Sequence, residues 1–297
     1  MKGQIYKALS GFYYIQKGNE TYQTRARGNF RKKGESPLVG DWVEFESTSE
    51  VDGMITKIYP RTSELKRPHV ANVSQVIIVM SVKDPNFSPL LLDRFLVQAE
   101  SLGMKTILYW SKIDLLTTEE REVIENYKEQ YMALGYPVLF GEEGIVNPEL
   151  FSYLKDELTV LMGQSGVGKS TLLNALHPEG KREIGEVSQA LGRGRHTTRH
   201  TELWSIHDGW IVDTPGFSSL DLEVDATELA QCFVEYRALA PQCKFRSCLH
   251  LKEPSCAVKE AISEGKLNQE RYERYELLQT ELANQRPQYQ KKKKEGR

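Results

Sequence analysis

The chain has 297 residues, of which 39% are hydrophobic and 27% are charged, and its formal net charge is −2. This composition is typical of a globular protein with room for two or three domains, and it excludes a uniformly basic nucleic-acid binder. No apolar run is long enough for a membrane span or a secretory signal, so we expect a cytoplasmic protein without membrane contact.

Short strands are predicted over residues 1–66. The segments GFYYIQ, TYQTRARG, DWVEFE and GMITKIY alternate in polarity or are rich in aromatic and β-branched residues, and Gly, Asn, Ser and Pro separate them. About five such strands in so short a stretch favour a small closed barrel, most often an OB-fold.

One barrel segment, TRARGNFRKKG (24–34), holds five basic residues and no acidic one. On an OB barrel such loops follow phosphates, while aromatic residues such as Phe30, Tyr13, Tyr14 and Tyr22 can stack on bases. A solvated hairpin tip is the alternative. The candidate RNA-binding residues are Arg25, Arg27, Arg31, Lys32 and Lys33.

Strands and helices alternate over residues 67–222, which predicts an α/β domain with a doubly wound parallel sheet. VSQVIIVM (73–80) has the continuous apolar character of a strand buried on both faces. A helix follows over 88–103, with Ser88 as its N-cap and Pro89 at its first position. Strands KTILYW, YPVLF and LTVLMG then alternate with helices, and TELWSI with GWIVDT predicts a hairpin.

The segment GQSGVGKST matches the phosphate-binding pattern G-x-x-x-x-G-K-S. Its glycines allow backbone N–H groups to approach phosphate oxygens, Lys169 reaches the β- and γ-phosphates, and Ser170 ligates Mg²⁺. The predicted strand before it and helix after it are the context that this motif needs. The candidate nucleotide-binding residues of this loop are Gly163, Gln164, Ser165, Gly166, Val167, Gly168, Lys169, Ser170 and Thr171.

WSKIDLL (110–116) ends a predicted strand and contains a Ser-Lys-x-Asp version of the base-reading element of GTPases. Asp114 can accept hydrogen bonds from both N1–H and the N2 amino group of guanine, which adenine does not offer together. Lys112 can lay its aliphatic stem along the base. Ser111 stands where GTPases usually have Asn, and Ile113 completes the element.

Two further elements surround the γ-phosphate. DTPGF (213–217) resembles the D-x-x-G element, with Asp213 holding Mg²⁺ directly or through water and the Gly216 N–H meeting the γ-phosphate. In the preceding GRGRHTTRH segment, Thr197 or Thr198 supplies a hydroxyl to Mg²⁺. The order is therefore base reader, phosphate loop, switch I and switch II, which is a circular permutation because most GTPases carry the base reader last.

The segment CKFRSCLHLKEPSC has the pattern C-x₄-C-x-H-x₅-C. Three thiolates and one imidazole complete a tetrahedron, which predicts one structural Zn²⁺ on Cys243, Cys248, His250 and Cys256. Cys232 is expected to be a buried helix residue outside this site. Residues 223–297 are predicted to form a helical zinc-binding domain.

Together, the barrel, the permuted GTPase motifs and the C-x₄-C-x-H-x₅-C segment resemble the ribosome small-subunit-dependent GTPase A family over nearly the whole chain. The resemblance implies an OB-fold (1–66), a circularly permuted G domain (67–222) and the zinc domain. It also implies GTP hydrolysis stimulated by the 30S subunit, binding to 16S rRNA, and a role in late 30S maturation. We expect a monomer off the ribosome. The departures from the family pattern are Ser111 and the guanine-contacting loop, for which LFGEEG (139–144) gives no recognisable match.

The water-positioning residue is not evident, because Phe217 occupies the position after the D-x-x-G glycine where many GTPases have Gln. Slow intrinsic hydrolysis is therefore expected. His196 is the catalytic candidate, with a phosphate or rRNA contact as its alternative role, and Arg193, Arg195 or Arg199 could instead neutralise transition-state charge. Two other functions stay open: an RNA-binding docking module regulated by nucleotide, and an ATPase with a chance SKID segment.

Overall fold

The computed structural model describes residues 1–28, 30, 35–47, 49–50, 52–66, 68–142, 144–178, 201–217 and 222–285, with the backbone alone for 213–217. It divides into two compact units, Met1–Phe95 with Leu102–Ser219, and Leu96–Ser101 with Leu220–Arg297. The expected domain boundaries after residues 66 and 222 remain predictions.

A closed five-stranded barrel begins the first unit, which confirms the expected OB-type architecture. Its strands are β1 (Lys2–Leu9), β2 (Phe12–Lys17), β3 (Glu20–Ala26), β4 (Trp42–Ser47) and β5 (Gly53–Ile58). Strand β1 pairs with β2 and β4, β2 with β3, and β5 with both β3 and β4, so the sheet closes on itself. Ile5, Ile15, Val43, Phe45 and Ile55 fill the interior and are fully buried.

A short hairpin follows the barrel. Its strands are β6 (Glu64–Lys66) and β7 (His69–Ala71), and Val39 forms a parallel bridge with Val70. Arg61 donates from Nε and from a terminal nitrogen to the buried Asp41 carboxylate, each at 2.8 Å. These contacts fix the chain between the barrel and the next strand.

The rest of the first unit alternates strands and helices as predicted. The strands are β8 (Gln75–Ser81), β9 (Lys105–Ser111), β10 (Val138–Phe140), β11 (Leu158–Met162), β12 (Glu202–Ile206) and β13 (Gly209–Phe217). The helices are α1 (Pro89–Ser101), α2 (Thr118–Ala133), α3 (Leu150–Leu154) and α4 (Lys169–Leu176). Local capping explains two helix starts: the Leu91 N–H donates to Ser88 Oγ, and Thr117 forms a capping box with Glu120.

The strands lie in the order β10-β9-β8-β11-β13-β12, in which β12 alone is antiparallel to its neighbour β13. The chain builds outward from β8 to β10 and then returns to place β11 on the other side of β8. Ligands of such sheets bind where this reversal occurs, at the carboxyl ends of the two strands. Strand β12 also pairs with β1 of the barrel, with Lys7 opposite Glu202.

The second unit is helical around a loop that contains three cysteines. Its helices are α5 (Ala226–Cys232), α6 (Val234–Leu239), α7 (Ala257–Ser263) and α8 (Gln269–Asn284). Phe233, Tyr236 and Tyr275 are buried at the centre, and their rings contact one another. The buried pair of Arg271 and Glu235, 2.6 Å apart, ties α8 to α6.

Candidate functional site

The phosphate loop leaves the buried strand β11 and enters α4, as its sequence pattern requires. Gly163, Gly166 and Gly168 all have positive φ. Gly163 lies so close to β8 that a Cβ there would be 2.3 Å from the Val79 carbonyl oxygen, so no other residue fits. Val167 is fully buried in the core under the loop, which anchors it from below.

Lys169 is folded back into the phosphate loop. Its ammonium donates to the carbonyl oxygens of Gly163 at 2.6 Å and Gln164 at 2.7 Å. Burial lowers the pKa of Lys169, because the half-buried ammonium lacks a counter-ion among these contacts. A phosphate group would supply that charge. Ser170 and Thr171, which follow in the first turn of α4, are exposed.

The base-reading element lies directly beside this loop. The buried Ser111 hydroxyl is 2.7 Å from the Val167 carbonyl oxygen and 3.3 Å from that of Met80. Lys112 has a left-handed backbone (φ 65°), and its ammonium donates to the Gly166 carbonyl oxygen at 3.0 Å. Ser111 therefore connects the end of β9 to the phosphate loop although it is shorter than Asn.

Asp114 and the phosphate loop face each other across one cavity. Asp114 is exposed on a 3₁₀ turn, Ile113–Leu115, whose Ile113 is buried and fixes the turn. The cavity is lined by Tyr109, Ser111, Lys112, Asp114, Leu115, Glu142, Gly144, Ile145, Gly168, Thr171, Leu172 and Ala175. Residues on either side of position 143 thus contribute to the wall nearest the base reader.

This wall belongs to LFGEEG (139–144), the segment that the sequence offered for the guanine-contacting loop without a recognisable motif. The Gly141 N–H donates to the Trp110 carbonyl oxygen at 2.8 Å, so the loop that follows β10 starts beside the end of β9. A Cβ on Gly141 would lie 2.2 Å from the Tyr109 hydroxyl, and that hydroxyl is 3.4 Å from the Ile145 carbonyl oxygen. Tyr109 and Gly141 therefore form a matched pair, which fixes how closely the loop approaches β9. Because Tyr109 and Gly141 are far apart in the sequence, the pair does not form a short motif that could be recognised.

The four predicted metal ligands come together in the helical unit. The ligand atoms of Cys243, Cys248, His250 and Cys256 all lie within 4.8 Å of one another. His250 Nδ1 is 3.7 Å from Cys243 Sγ and 3.4 Å from Cys256 Sγ, close to the edge lengths of a tetrahedron around Zn²⁺. Cys232 is buried on α5 outside the cluster, as predicted.

The surroundings of the cluster suit a dication. Burial raises the pKa of the Cys248 thiol to about 12 and lowers that of His250, so a bound cation would favour the thiolate of Cys248 and suits the neutral imidazole of His250. The Tyr272 hydroxyl donates to the His250 carbonyl oxygen at 2.6 Å and the Tyr275 hydroxyl to that of Leu249 at 2.5 Å. Helix α8 thus holds the ligand loop, and the donor set fits a closed structural site.

Comparison with known proteins agrees with this geometry. A family model described as RsgA GTPase matches residues 58–223, and one described as RsgA N-terminal domain matches residues 2–55. A relative from Enterococcus faecalis, named small ribosomal subunit biogenesis GTPase RsgA, is 51% identical and is covered over 99% of its length by 98% of this chain. This chain belongs to the RsgA GTPase family.

Three further matches, one curated relative and two solved structures, agree with this assignment. A Streptococcus agalactiae relative of the same name is 51% identical, with 98% of each chain covered. The crystal structure of YloQ, described as a circularly permuted GTPase, has a TM-score of 0.84 and 40% identity over 97% of this chain and 96% of its own. YjeQ from Thermotoga maritima also gives a TM-score of 0.84, at 34% identity over 96% and 99% of the two chains.

The RsgA-type switch elements are described only in part. Strand β13 carries Asp213 and Gly216 and ends beside the phosphate loop, since Phe217 is paired with Met162. The strand was predicted to end at Thr214, but it continues through Phe217 with a register shift. His196, Thr197, Thr198 and the neighbouring arginines lie outside the described residues, so their roles remain predictions.

The expected RNA-binding residues of this chain also fall into two groups. The Arg25 guanidinium lies 4.5 Å from the centre of the Phe12 ring, and Arg27 pairs with Glu46 at 3.3 Å on the surface. Arg31, Lys32 and Lys33 lie outside the described residues. Phe30 is only 9% exposed, so the expectation that it stacks on a base is wrong, because its ring is part of the core.

Within the residues that the structure describes, no helix combines the length and the apolar character needed to cross a membrane.

Proposed function

We propose that this chain hydrolyses GTP to GDP and phosphate, that the small ribosomal subunit stimulates this turnover, and that it acts in late maturation of that subunit. The observation that carries the proposal is the single cavity in which Asp114 and Lys112 face Gly168 and Thr171 of the phosphate-loop segment. The printed name of the Enterococcus faecalis relative supports the ribosomal role.

Guanine is the base that the pocket favours. The Asp114 carboxylate lines the cavity and has two acceptor oxygens, and guanine offers two adjacent donors where adenine has an acceptor at N1. A bidentate base contact of this kind contributes about 1–3 kcal/mol of discrimination in nucleic-acid complexes. Ser111 keeps the connection to the phosphate loop at 2.7 Å, which supports guanine binding despite the missing Asn.

The phosphates and their metal ion take the other side of the site. Backbone N–H groups from Gly163 to Thr171 surround the β-phosphate, and Lys169 exchanges its carbonyl partners for phosphate oxygens. Mg²⁺ neutralises the developing charge when it is bound. We assign Ser170, Asp213 and one of Thr197 and Thr198 to hold it, and Gly216 to contact the γ-phosphate.

Intrinsic turnover should be slow, because Phe217 can neither donate to nor accept from a water molecule. We propose His196 as the residue that orients the attacking water once the ribosomal subunit is bound. The same substitution by Phe217 favours the second candidate function, an rRNA-binding docking module in which nucleotide regulates binding and turnover contributes little.

We propose the remaining assignments as well. The Cys₃His cluster holds one Zn²⁺ ion with a structural role, since four protein donors leave no position for water. Arg25, Arg27, Arg31, Lys32 and Lys33 contact 16S rRNA phosphates. We place the protein in the cytoplasm as a monomer when it is off the ribosome, with a barrel (1–66), a permuted G domain (67–222) and a zinc domain (223–297).

Phosphate release from GTP and from ATP, each with and without purified 30S subunits, tests the proposal. We expect slow GTP turnover that rises strongly with 30S subunits and no comparable use of ATP. His196→Ala should lose the stimulated rate while keeping GDP affinity. Equal turnover of ATP would contradict the assignment of Asp114, and GTP binding without stimulation would favour the docking module.

A further inference from the structure

The barrel meets the nucleotide-binding strands at an irregularity in β1. Ile5 of this strand is paired with Ile15 of β2 and Lys7 with Tyr14, and the register shifts between the two pairs. Tyr6 therefore lies on a β-bulge. Bulges bend a strand and redirect a side chain, and they are common at barrel rims and beside active sites. The fully buried Ile5 side chain fixes the bulge to the barrel core.

Two side chains at this bulge contact the neighbouring strands. The Tyr6 ring is stacked on the Trp210 ring of β13, with centres 6.4 Å and planes 17° apart, and it meets the Tyr14 ring edge-on. The Lys7 ammonium is 3.0 Å from the Glu202 carboxylate of β12, and these two side chains are 31% and 33% exposed. We call Tyr6, Lys7, Glu202 and Trp210 the junction. Through it, one barrel strand contacts both strands of the β12–β13 hairpin.

The hairpin that the junction contacts is joined to both proposed switch segments. Strand β12 begins at Glu202, four residues after Thr198, and β13 leads from Trp210 to Asp213. The strand register places Lys7 opposite Glu202, and Glu202 opposite Asp213. These three residues form one row across β1, β12 and β13. A barrel residue is therefore only two strands away from a proposed Mg²⁺ ligand.

Strands in one hydrogen-bonded sheet shift together, because moving one strand strains its bonds and side-chain pairs with the next. A ligand that binds one arrangement of the hairpin more tightly raises the population of that arrangement. GTP differs from GDP by the γ-phosphate, which switch segments contact. A partner of the barrel acts on the same hairpin through the junction, and the effect of each ligand on the other is equal by linkage.

We propose that Tyr6 and Lys7 are positioning residues through which the partner of the barrel and the γ-phosphate of GTP strengthen each other's binding. Neither is among the described residues that line the nucleotide cavity, so both act through the β12–β13 hairpin. The inference rests on the proposed GTPase function, and it names the contacts by which the ribosomal subunit influences the nucleotide site.

Binding of purified 30S subunits to the full, zinc-loaded chain, labelled at its C-terminus, measures the coupling. Fluorescence anisotropy gives the affinity with Mg²⁺ and either GDP or a non-hydrolysable GTP analogue. For the unaltered chain, the analogue should raise the affinity over that with GDP by roughly 5-fold to 150-fold, the usual range of coupling between two sites. Tyr6→Leu should reduce this ratio roughly 2-fold to 10-fold, the contribution of one aromatic pair. Lys7→Met should reduce it roughly 1.5-fold to 5-fold, as expected for a partly exposed ion pair.

Further variants separate positioning from folding. Tyr6→Phe keeps the ring, and Lys7→Glu combined with Glu202→Lys restores the ion pair with its charges exchanged, so both should keep the ratio within about twofold of the unaltered value. Lys17→Met removes a barrel lysine that pairs with Glu20 and is the matched control for the lost charge. GDP affinity and the thermal unfolding midpoint are measured for every variant, and GDP affinity should not change.

Three results would overturn the proposal: equal 30S affinities with the two nucleotides in the unaltered chain, an unchanged ratio when Tyr6→Leu and Lys7→Met are combined, or an equal loss of affinity with both nucleotides. The last result would mean that the junction only supports the fold. Phosphate release from GTP is measured in parallel. If 30S subunits stimulate the unaltered chain and the ratio survives in the double variant, only the junction is wrong; without stimulation the proposed function fails whatever the ratio.

Discussion

Whereas the metal cluster takes its four donors from one stretch, Cys243–Cys256, the nucleotide pocket is assembled from the ends of β9, β10 and β11 and the first turns of α4. The cluster is expected to depend on an ion, because burial raises the pKa of the Cys248 thiol and four metal donors lie together there. The pocket depends on packing and backbone hydrogen bonds that exist without a ligand. The difference implies that replacing one ligand of the cluster should abolish zinc binding altogether. Replacing one residue of the pocket should only reduce nucleotide affinity.

The largest expected effect is therefore in the cluster. Cys256→Ser should abolish stoichiometric zinc binding and the cooperative unfolding of the helical unit, since structural zinc contributes apparent binding free energies of about 10–16 kcal/mol. Zinc content and thermal unfolding followed by circular dichroism measure this. Cys232→Ala is the matched control, and stoichiometric zinc in Cys256→Ser would contradict the proposed ligand set.

Asp114→Asn tests the base reader and should have the next largest effect. The amide cannot accept both guanine donors, so GDP affinity should fall roughly 5-fold to 100-fold, matching about 1–3 kcal/mol for a bidentate base contact. Xanthosine diphosphate should bind better than to the unaltered chain, because its 2-oxo group accepts from the amide. Isothermal titration with both nucleotides measures the change, and an unaltered preference for GDP would contradict the assignment.

Gly141→Ala tests the wall of the pocket formed by the segment after β10, for which the sequence gave no recognisable motif. The new methyl group overlaps the Tyr109 hydroxyl, so the loop through Ile145 must shift, and we expect GDP affinity to fall about fivefold to tenfold, the lower part of typical overpacking costs. Adding Tyr109→Leu to Gly141→Ala should restore part of the loss. If the two changes were simply additive, the matched pair would not fix how closely the loop approaches β9.

The smallest expected effect concerns Ser111. Ser111→Ala removes the hydroxyl bond to the Val167 carbonyl oxygen and should cost about 1 kcal/mol, or roughly fivefold in GDP affinity. Ser111→Thr keeps the hydroxyl and serves as the control. Equal affinity of all three forms would mean that this connection between β9 and the phosphate loop does not contribute to binding.

The features that were predictable from sequence are those set by neighbouring residues. Ser88 and Thr117 start helices through local capping, Gly163–Thr171 forms its loop between a strand and a helix, and the cysteine spacing predicted the cluster. Each depends on contacts within a few residues, so a short pattern was sufficient.

The features that were missed depend on distant contacts or on broken local rules. The three-residue strands β6 and β7 are too short to show alternation, and Pro215 and Gly216 signalled an end to β13 that its parallel pairing with β11 overrides. The wall after Gly141 was unrecognisable because Tyr109, which fixes it, lies on another strand. Phe30 was misjudged because nothing in a basic segment indicates that one ring turns inward.

The pairing of Lys7 with Glu202 determines how a truncated form of the protein should behave. Because β12 adjoins β1, the barrel and the nucleotide-binding strands form one sheet of eleven strands. Deleting residues 1–66 would leave the outer side of β12 as an unprotected strand edge, and such edges recruit other chains. Aggregation of such a truncated protein would then indicate the loss of the β1–β12 pairing, and would not show that the G domain is unable to fold.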